Sequence, residues 1–279
     1  SMQAPNGVLD LVVEDEAEAV AAVKTLLAFV QGPAADWTAP DPRMLRHVVP
    51  QEPRRAYRMQ DLVAGLADEG SVVVLREEYG LAFLTAFARI EGRPVAILAN
   101  NPEHLGGAID AAGAAKAAEF AALVEKLRLP LLKLCDTPGF MVGPAAEAEG
   151  LVRQAGRLFA ECAKLTVPQF TVVTRKAYGL GALAMVSGDA HGQGFTIAWP
   201  TGHFGKMGLE GQVRLGHRQE LAAIEDPVAR QARERELIDA LHHRGSPQNA
   251  AAFLSVDEVI DPAETRAWIV SGLHAATRA

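Results

Sequence analysis

The chain has 279 residues, 49% of them hydrophobic, with a formal net charge of -7 and two cysteines. A chain of this size buries a core without disulfides, and moderate, dispersed acidity argues against nucleic acid as the main partner. Cys135 and Cys162 lack Cys-x-x-Cys spacing and are expected as buried free thiols. Free thiols rather than a disulfide framework make a cytoplasmic setting the expectation, while no apolar run approaches the roughly 20 residues of a membrane span and the first residues carry no signal pattern.

Residues 7–13 are predicted to form a short strand and residues 14–30 an amphipathic helix with acids in its first turn. Prolines and glycine then break all periodicity, which predicts a linker over residues 31–56. One strand and one helix make no core, so residues 1–30 are expected to be the tail of an upstream domain or, equally, an arm docked on the main body. Residues 57–279 are predicted as one α/β domain. A helix is expected over 58–66, strands over 71–76, 82–90 and 95–99, with the turn Glu91-Gly92-Arg93-Pro94 between the last two, and an alanine-rich helix over 111–127. A strand over 130–135, a helix from Ala145 and a strand over 169–174 continue the alternation, which is the signature of a parallel layered sheet with right-handed crossovers.

Three glycine-rich junctions fall after strands of that sheet, at the edge where ligands gather. They are His104-Leu105-Gly106-Gly107-Ala108-Ile109-Asp110, then Asp136-Thr137-Pro138-Gly139-Phe140-Met141-Val142-Gly143-Pro144, and Arg175-Lys176-Ala177-Tyr178-Gly179-Leu180-Gly181-Ala182. The last runs into a helix expected to begin near Ala182. Glycine allows a sharp turn and exposes backbone N–H groups at a helix start, where they favour an anionic oxygen. Two junctions supplying one N–H each would make an oxyanion site.

These motifs, with Lys116, Ala198-Trp199-Pro200-Thr201, Asp257-Glu258-Val259-Ile260-Asp261-Pro262 and Thr265-Arg266, resemble in order and spacing the C-terminal half of the carboxyltransferase (beta) subunit of biotin-dependent acyl-CoA carboxylases of the acetyl-/propionyl-CoA type. The resemblance implies a crotonase-like (ClpP/crotonase) domain of layered β-β-α superhelix units. It implies transfer of CO2 from carboxybiotin, brought by a carrier protein, to the α-carbon of an acyl-CoA. Paired backbone amides then hold the biotin urea oxygen, and the resemblance places these donors at Gly181 or Ala182 and at Gly107 or Ala108, with Ala182 and Gly107 preferred. Gly139, Phe140, Lys176, Tyr178 and Gly179 are implied as cofactor-binding positions. Implied partners are the biotin carboxyl carrier and biotin carboxylase components, the N-terminal carboxyltransferase half and further copies of the chain. An acidic residue often found past the third junction in propionyl-type members falls on Leu183, which implies an apolar acyl pocket and a different chain length.

Competing chemistries lack their groups. The two carboxylates of a crotonase-like hydratase would fall near Met185 and Thr201, neither able to take a proton, and no Gly-x-Ser-x-Gly turn supplies a serine nucleophile. No metal centre is expected, since adjacent His242 and His243 point apart on a helix. His191 is read as a structural loop histidine, Lys116 and Lys176 as exposed lysines or as contacts for CoA phosphates or biotin, and residues 220–243 as a charged surface or oligomer-contact helix. A biotin-dependent decarboxylase would use the same loops, and a non-catalytic assembly module would keep the fold without turnover.

Overall fold

The computed structural model describes residues 2–52, 55–186 and 194–276; His191 lies outside them. Residues 7–13 form no strand: this segment is irregular and tied down by Asp10, whose carbonyl accepts from Arg76 N (2.8 Å) and whose carboxylate meets Arg76 Nε (2.8 Å). Helix α1 (Glu16–Phe29) follows, capped by Asp15, whose carboxylate accepts from Glu18 N at 2.8 Å. It docks through Phe29, which packs on Phe87 (5.7 Å between rings) beneath the guanidinium of Arg89.

The proline-rich stretch is also not a loose linker. A 3₁₀ turn at Pro42–His47 buries Leu45 against helix α2 (Met59–Leu66). Gly65 makes room for it, since a Cβ there would lie 2.8 Å from Leu45 Cδ2. Arg46 reaches the carboxylate of Asp261 with two nitrogens (2.9 and 2.6 Å).

Strands β1 (Val73–Leu75), β2 (Phe83–Ile90) and β3 (Arg93–Asn100) form an antiparallel meander. The β2–β3 hairpin turns on two residues, Glu91 (φ 51°) and Gly92 (φ 71°), the left-handed pair that matches strand twist. Helix α3 (Ala111–Leu127) crosses to β4 (Leu131–Thr137), and α4 (Pro144–Ala148) and α5 (Leu151–Ala163) lead to β5 (Gln169–Tyr178). Helix α6 (Gly179–Met185) starts directly from that strand, and β6 (Gly194–Ala198) and β7 (His203–Gly205) both pair with β5, parallel to it, at its two ends. Helices α7 (Leu209–Gly216), α8 (Arg218–Ala222), α9 (Pro227–Arg244) and α10 (Pro247–Ala252) precede β8 (Glu258–Val259) and the closing helix α11 (Thr265–Ala276).

The sheet order is β1-β2-β3-β4-β5-β6-β8, parallel from β3 onward. Strand β4 is buried along its whole length because helices cover both faces. On one face α3, α5 and α6 pack over Phe87, Leu98, Leu131, Cys135 and Val173. Four alanines of α3, Ala114, Ala117, Ala118 and Ala121, are fully buried and let this helix come close to the sheet. On the other face α2 and α11 cover Ile97, Leu132, Leu134, Phe170 and Trp199. A buried carboxylate, Asp68, closes that layer: it accepts from Glu91 N (3.0 Å), Gly92 N (2.7 Å) and the guanidinium of Arg266 in α11.

Candidate active site

The carboxyl ends of β3, β4 and β5 meet at Asp136. Between the pairs Cys135–Val173 and Thr137–Ala177, β5 advances four residues while β4 advances two, so Arg175 and Lys176 bulge toward this carboxylate. Asp136 is fully buried. One oxygen takes Arg175 Nε at 3.0 Å, and the other takes the backbone N–H of Lys176 at 3.1 Å and faces Lys176 Nζ at 3.6 Å. Its own N–H donates to Asn100 Oδ1 at 3.1 Å, while Arg175 also donates to the Arg55 carbonyl (2.7 Å) and lies over the Tyr57 ring. The Asp136–Arg175 pair therefore has the additional hydrogen bonds that a buried ion pair needs.

All three junctions lean on this centre. In the first, Leu105, Gly106 and Gly107 follow one another at φ 50°, 65° and 91°. Gly107 is required twice over: its φ is left-handed, and a Cβ would sit 2.3 Å from the Asp136 carbonyl oxygen. Lys176 Nζ donates to the Gly106 carbonyl. The first junction is stitched to the second by Ile109 N to Gly139 O (3.0 Å) and Met141 N to Ile109 O (2.9 Å). The third touches the second through Gly181, where a Cβ would lie 2.8 Å from Gly139 Cα. The structure thus brings Gly107, Ala108, Gly139, Phe140, Lys176, Tyr178, Gly179, Gly181 and Ala182 into one cluster at the sheet edge.

Where the amides point revises the sequence expectation in part. Strand β5 runs on through Tyr178, and α6 begins at Gly179, three residues before the predicted start. The N–H groups of Gly179, Leu180 and Gly181 in its first turn have no acceptor inside the helix, whereas Ala182, one residue further, falls where the intrahelical ladder begins. In the first junction Gly107 N donates to His104 O (2.9 Å) and Ala108 N to Leu105 O (3.2 Å), so both amides serve a 3₁₀ turn in this state.

Beside the cluster lies a cleft of about 1030 Å³ walled by Gly106, Pro138, Lys176, Tyr178, His203 and Glu210, among others. Lys176 is half-buried; burial lowers its pKa from the ordinary lysine value against the opposing pull of Asp136. Tyr178 is pushed up to about 12, first by burial and then by the Asp136 charge. Its hydroxyl pairs with His203 Nδ1 at 3.0 Å, and His203 Nε2 lies 3.1 Å from the His242 carbonyl. A carbonyl only accepts, so His203 carries its proton on Nε2 and takes a hydrogen bond from Tyr178 on Nδ1. Burial lowers the His203 pKa, which favours this neutral form.

Other expectations are corrected or located here. Lys116 is neither an exposed helix-face lysine nor a ligand contact: it is buried, donates to the carbonyls of Arg76 (2.8 Å) and Phe83 (2.9 Å), and is held at a pKa of about 8 by burial. Met185 is fully buried and Thr201 Oγ1 donates to Thr174 O at 2.6 Å, so neither stands as an acid or base. Among the described residues no group of three or more His, Cys, Asp or Glu is placed to hold a metal, and no helix is long and apolar enough to cross a membrane. Sequence reasoning quoted Asp136 and Arg175 without a role and missed His203; the signal for the pair is a charged residue at the end of each of two adjacent apolar strands.

A mostly parallel sheet with helices on both faces and glycine junctions at its carboxyl edge is a crotonase-like fold, and solved structures similar to it include a transcarboxylase 12S subunit and a single-chain acyl-CoA carboxylase. The chain belongs to the carboxyl transferase domain family, which it matches over residues 1–279. It is 36% identical over 277 residues to the methylmalonyl-CoA carboxyltransferase 12S subunit of Propionibacterium freudenreichii subsp. shermanii, covering 96% of this chain and 52% of that one. A crystal structure of transcarboxylase 12S, described as a hexamer with methylmalonyl-CoA bound, superposes with a TM-score of 0.88 at 34% identity over 98% of this chain and 54% of that one. A single-chain, multi-domain long-chain acyl-CoA carboxylase is 49% identical with a TM-score of 0.87, covering 96% of this chain and 26% of the other. The chain spans about half the length of the curated relatives it matches.

Proposed function

We propose that this chain is the biotin-handling half of an acyl-CoA carboxylase carboxyltransferase, acting on carboxybiotin brought by a biotin carboxyl carrier and charged by a biotin carboxylase. The observation that carries this reading is the cluster itself: three glycine junctions locked around Asp136, with the first-turn amides of α6 lacking intrahelical acceptors. Carboxybiotin supplies the CO2 and, after its loss, the nitrogen that takes the acyl α-proton. The chain's part is to hold the urea oxygen. Gly181, with Leu180 beside it, is the donor side that α6 offers. Gly107 or Ala108 supplies the opposing donor by sharing the proton now given to its 3₁₀ turn, a three-centre arrangement common at helix ends. Gly139, Phe140, Tyr178 and Gly179 shape the floor, and Lys176 stands at the mouth.

The partner half supplies the thioester site, and further copies of the chain complete a cytoplasmic assembly. Leu180 and Leu183 of α6 are exposed at 63% and 64%, and these apolar side chains favour an acyl chain longer than propionyl. The likeness to a long-chain acyl-CoA carboxylase supports the same choice. The test is reverse transfer, from malonyl-, methylmalonyl- or a long-chain carboxyacyl-CoA to free biocytin, with and without the N-terminal half. The expected result is biocytin binding by this chain alone, turnover only with the partner half, and highest kcat/KM for the long-chain donor. Absence of biocytin binding would favour an assembly module, and decarboxylation without net acyl-CoA carboxylation would favour the decarboxylase.

A further inference from the structure

The first and third junctions do not share a backbone hydrogen bond in the structure, yet a shared oxyanion site needs their amides fixed relative to each other. One side chain spans the gap. Lys176 extends from β5, keeps its ammonium 3.6 Å from the buried Asp136 carboxylate, and donates to the carbonyl of Gly106. That carbonyl follows Leu105, a non-glycine residue at φ 50°, a left-handed conformation that persists where the surroundings impose it. Gly107, next along, rests against the Asp136 carbonyl. The anchor is firm, because Asp136 also holds Lys176's own N–H and the Arg175 guanidinium.

We infer that Lys176 is a positioning residue for the carboxyl-transfer reaction proposed above, its ammonium pinning the Gly106 carbonyl and thereby setting the first junction against the amides of α6. This role differs from a direct contact with biotin or CoA, and the two separate in kinetics. A lost contact made equally in ground and transition states raises KM, whereas a misplaced donor lowers kcat.

The experiment uses the full-length enzyme that contains this chain, with Lys176→Met and Lys176→Arg assayed for transfer of carboxylate to biocytin. Lys176→Met leaves the Asp136–Arg175 pair intact and is expected to lower kcat on the order of 100-fold, the effect of a misplacement near 1 Å. KM for biocytin and for the acyl-CoA stays within about threefold of wild type on this account, since only transition-state interactions are lost. Lys176→Arg, which still reaches a carbonyl, recovers kcat to within about tenfold. Should Lys176→Met fail to fold, Lys176→Ala, which also removes the donor, carries the same comparison. A raised KM for biocytin with kcat unchanged, or no change at all, would overturn the inference. A wild-type enzyme that bound biocytin but transferred nothing would overturn the reading on which it rests as well.

Discussion

Two regions of this molecule treat charge in opposite ways. At the strand ends, Asp136, Arg175 and Lys176 sit among fixed backbone partners with the carboxylate fully buried. In the excursion of α7 to α9, charge is spread over a surface: α9 is 18 residues long with none buried, and its pairs, Arg233 with Glu220 (2.8 Å) and Glu236 (3.0 Å) and Arg214 with Glu234 (2.7 Å), face water. The first arrangement stores geometry, because a desolvated anion with assigned donors cannot be rearranged cheaply. The second stores little, since exposed pairs are screened and entropically costly to hold. The amides proposed for catalysis all belong to the first region.

The comparison breaks most sharply at Asp136. Asp136→Ala strands the Arg175 charge and is expected to cost about 3–5 kcal/mol, read as a fall in the urea midpoint at unchanged slope. Asp136→Leu combined with Arg175→Met should recover much of that loss while leaving transfer activity abolished, which would separate stability from positioning. Gly107→Ala comes next: strain at a left-handed φ and the approach to the Asp136 carbonyl predict a loss of about 1–3 kcal/mol with a larger fractional fall in kcat than in KM. Lys116 gives a smaller, pH-dependent effect. Its folded pKa of about 8 lies below the ordinary 10.5, so between these values the unfolded chain binds more protons and stability rises with pH. The difference in unfolding free energy between wild type and Lys116→Met should follow that slope over the same window and be flat below it. At the far end, Arg233→Ala is expected to leave the unfolding midpoint unmoved, as is raising the salt to about 1 M.

Much of the fold was legible because it is written in periodicity. Helix α3 occupies the residues its alanine pattern predicts, and β2, β3, β4 and β5 all appear, each with shifted ends. The error at β5 is instructive: a strand reader stops at Thr174 because Arg175 and Lys176 are charged, while the chain continues to Tyr178 because Asp136, 39 residues away, satisfies the first of them. Residues 7–13 are as apolar as a strand but find no sheet edge, and the proline-rich stretch hides a single anchoring leucine, Leu45, that no period reveals. At the site, glycine spacing located all three junctions. Which amide stands clear depends on where α6 begins, a matter of one or two residues that sequence does not fix.

The Asp68 carboxylate joins partners far apart in sequence: it accepts from the β2–β3 turn, and its counter-ion, Arg266, lies 198 residues later. During synthesis at about 5–20 residues per second, that carboxylate waits roughly 10–40 s for its partner to be made. Throughout that interval the hairpin and α2 hold an uncompensated buried acid and the apolar face that α11 will cover. The nascent layer is therefore expected to need chaperones until α11 has been made, and truncations that remove α11 should accumulate in the insoluble fraction.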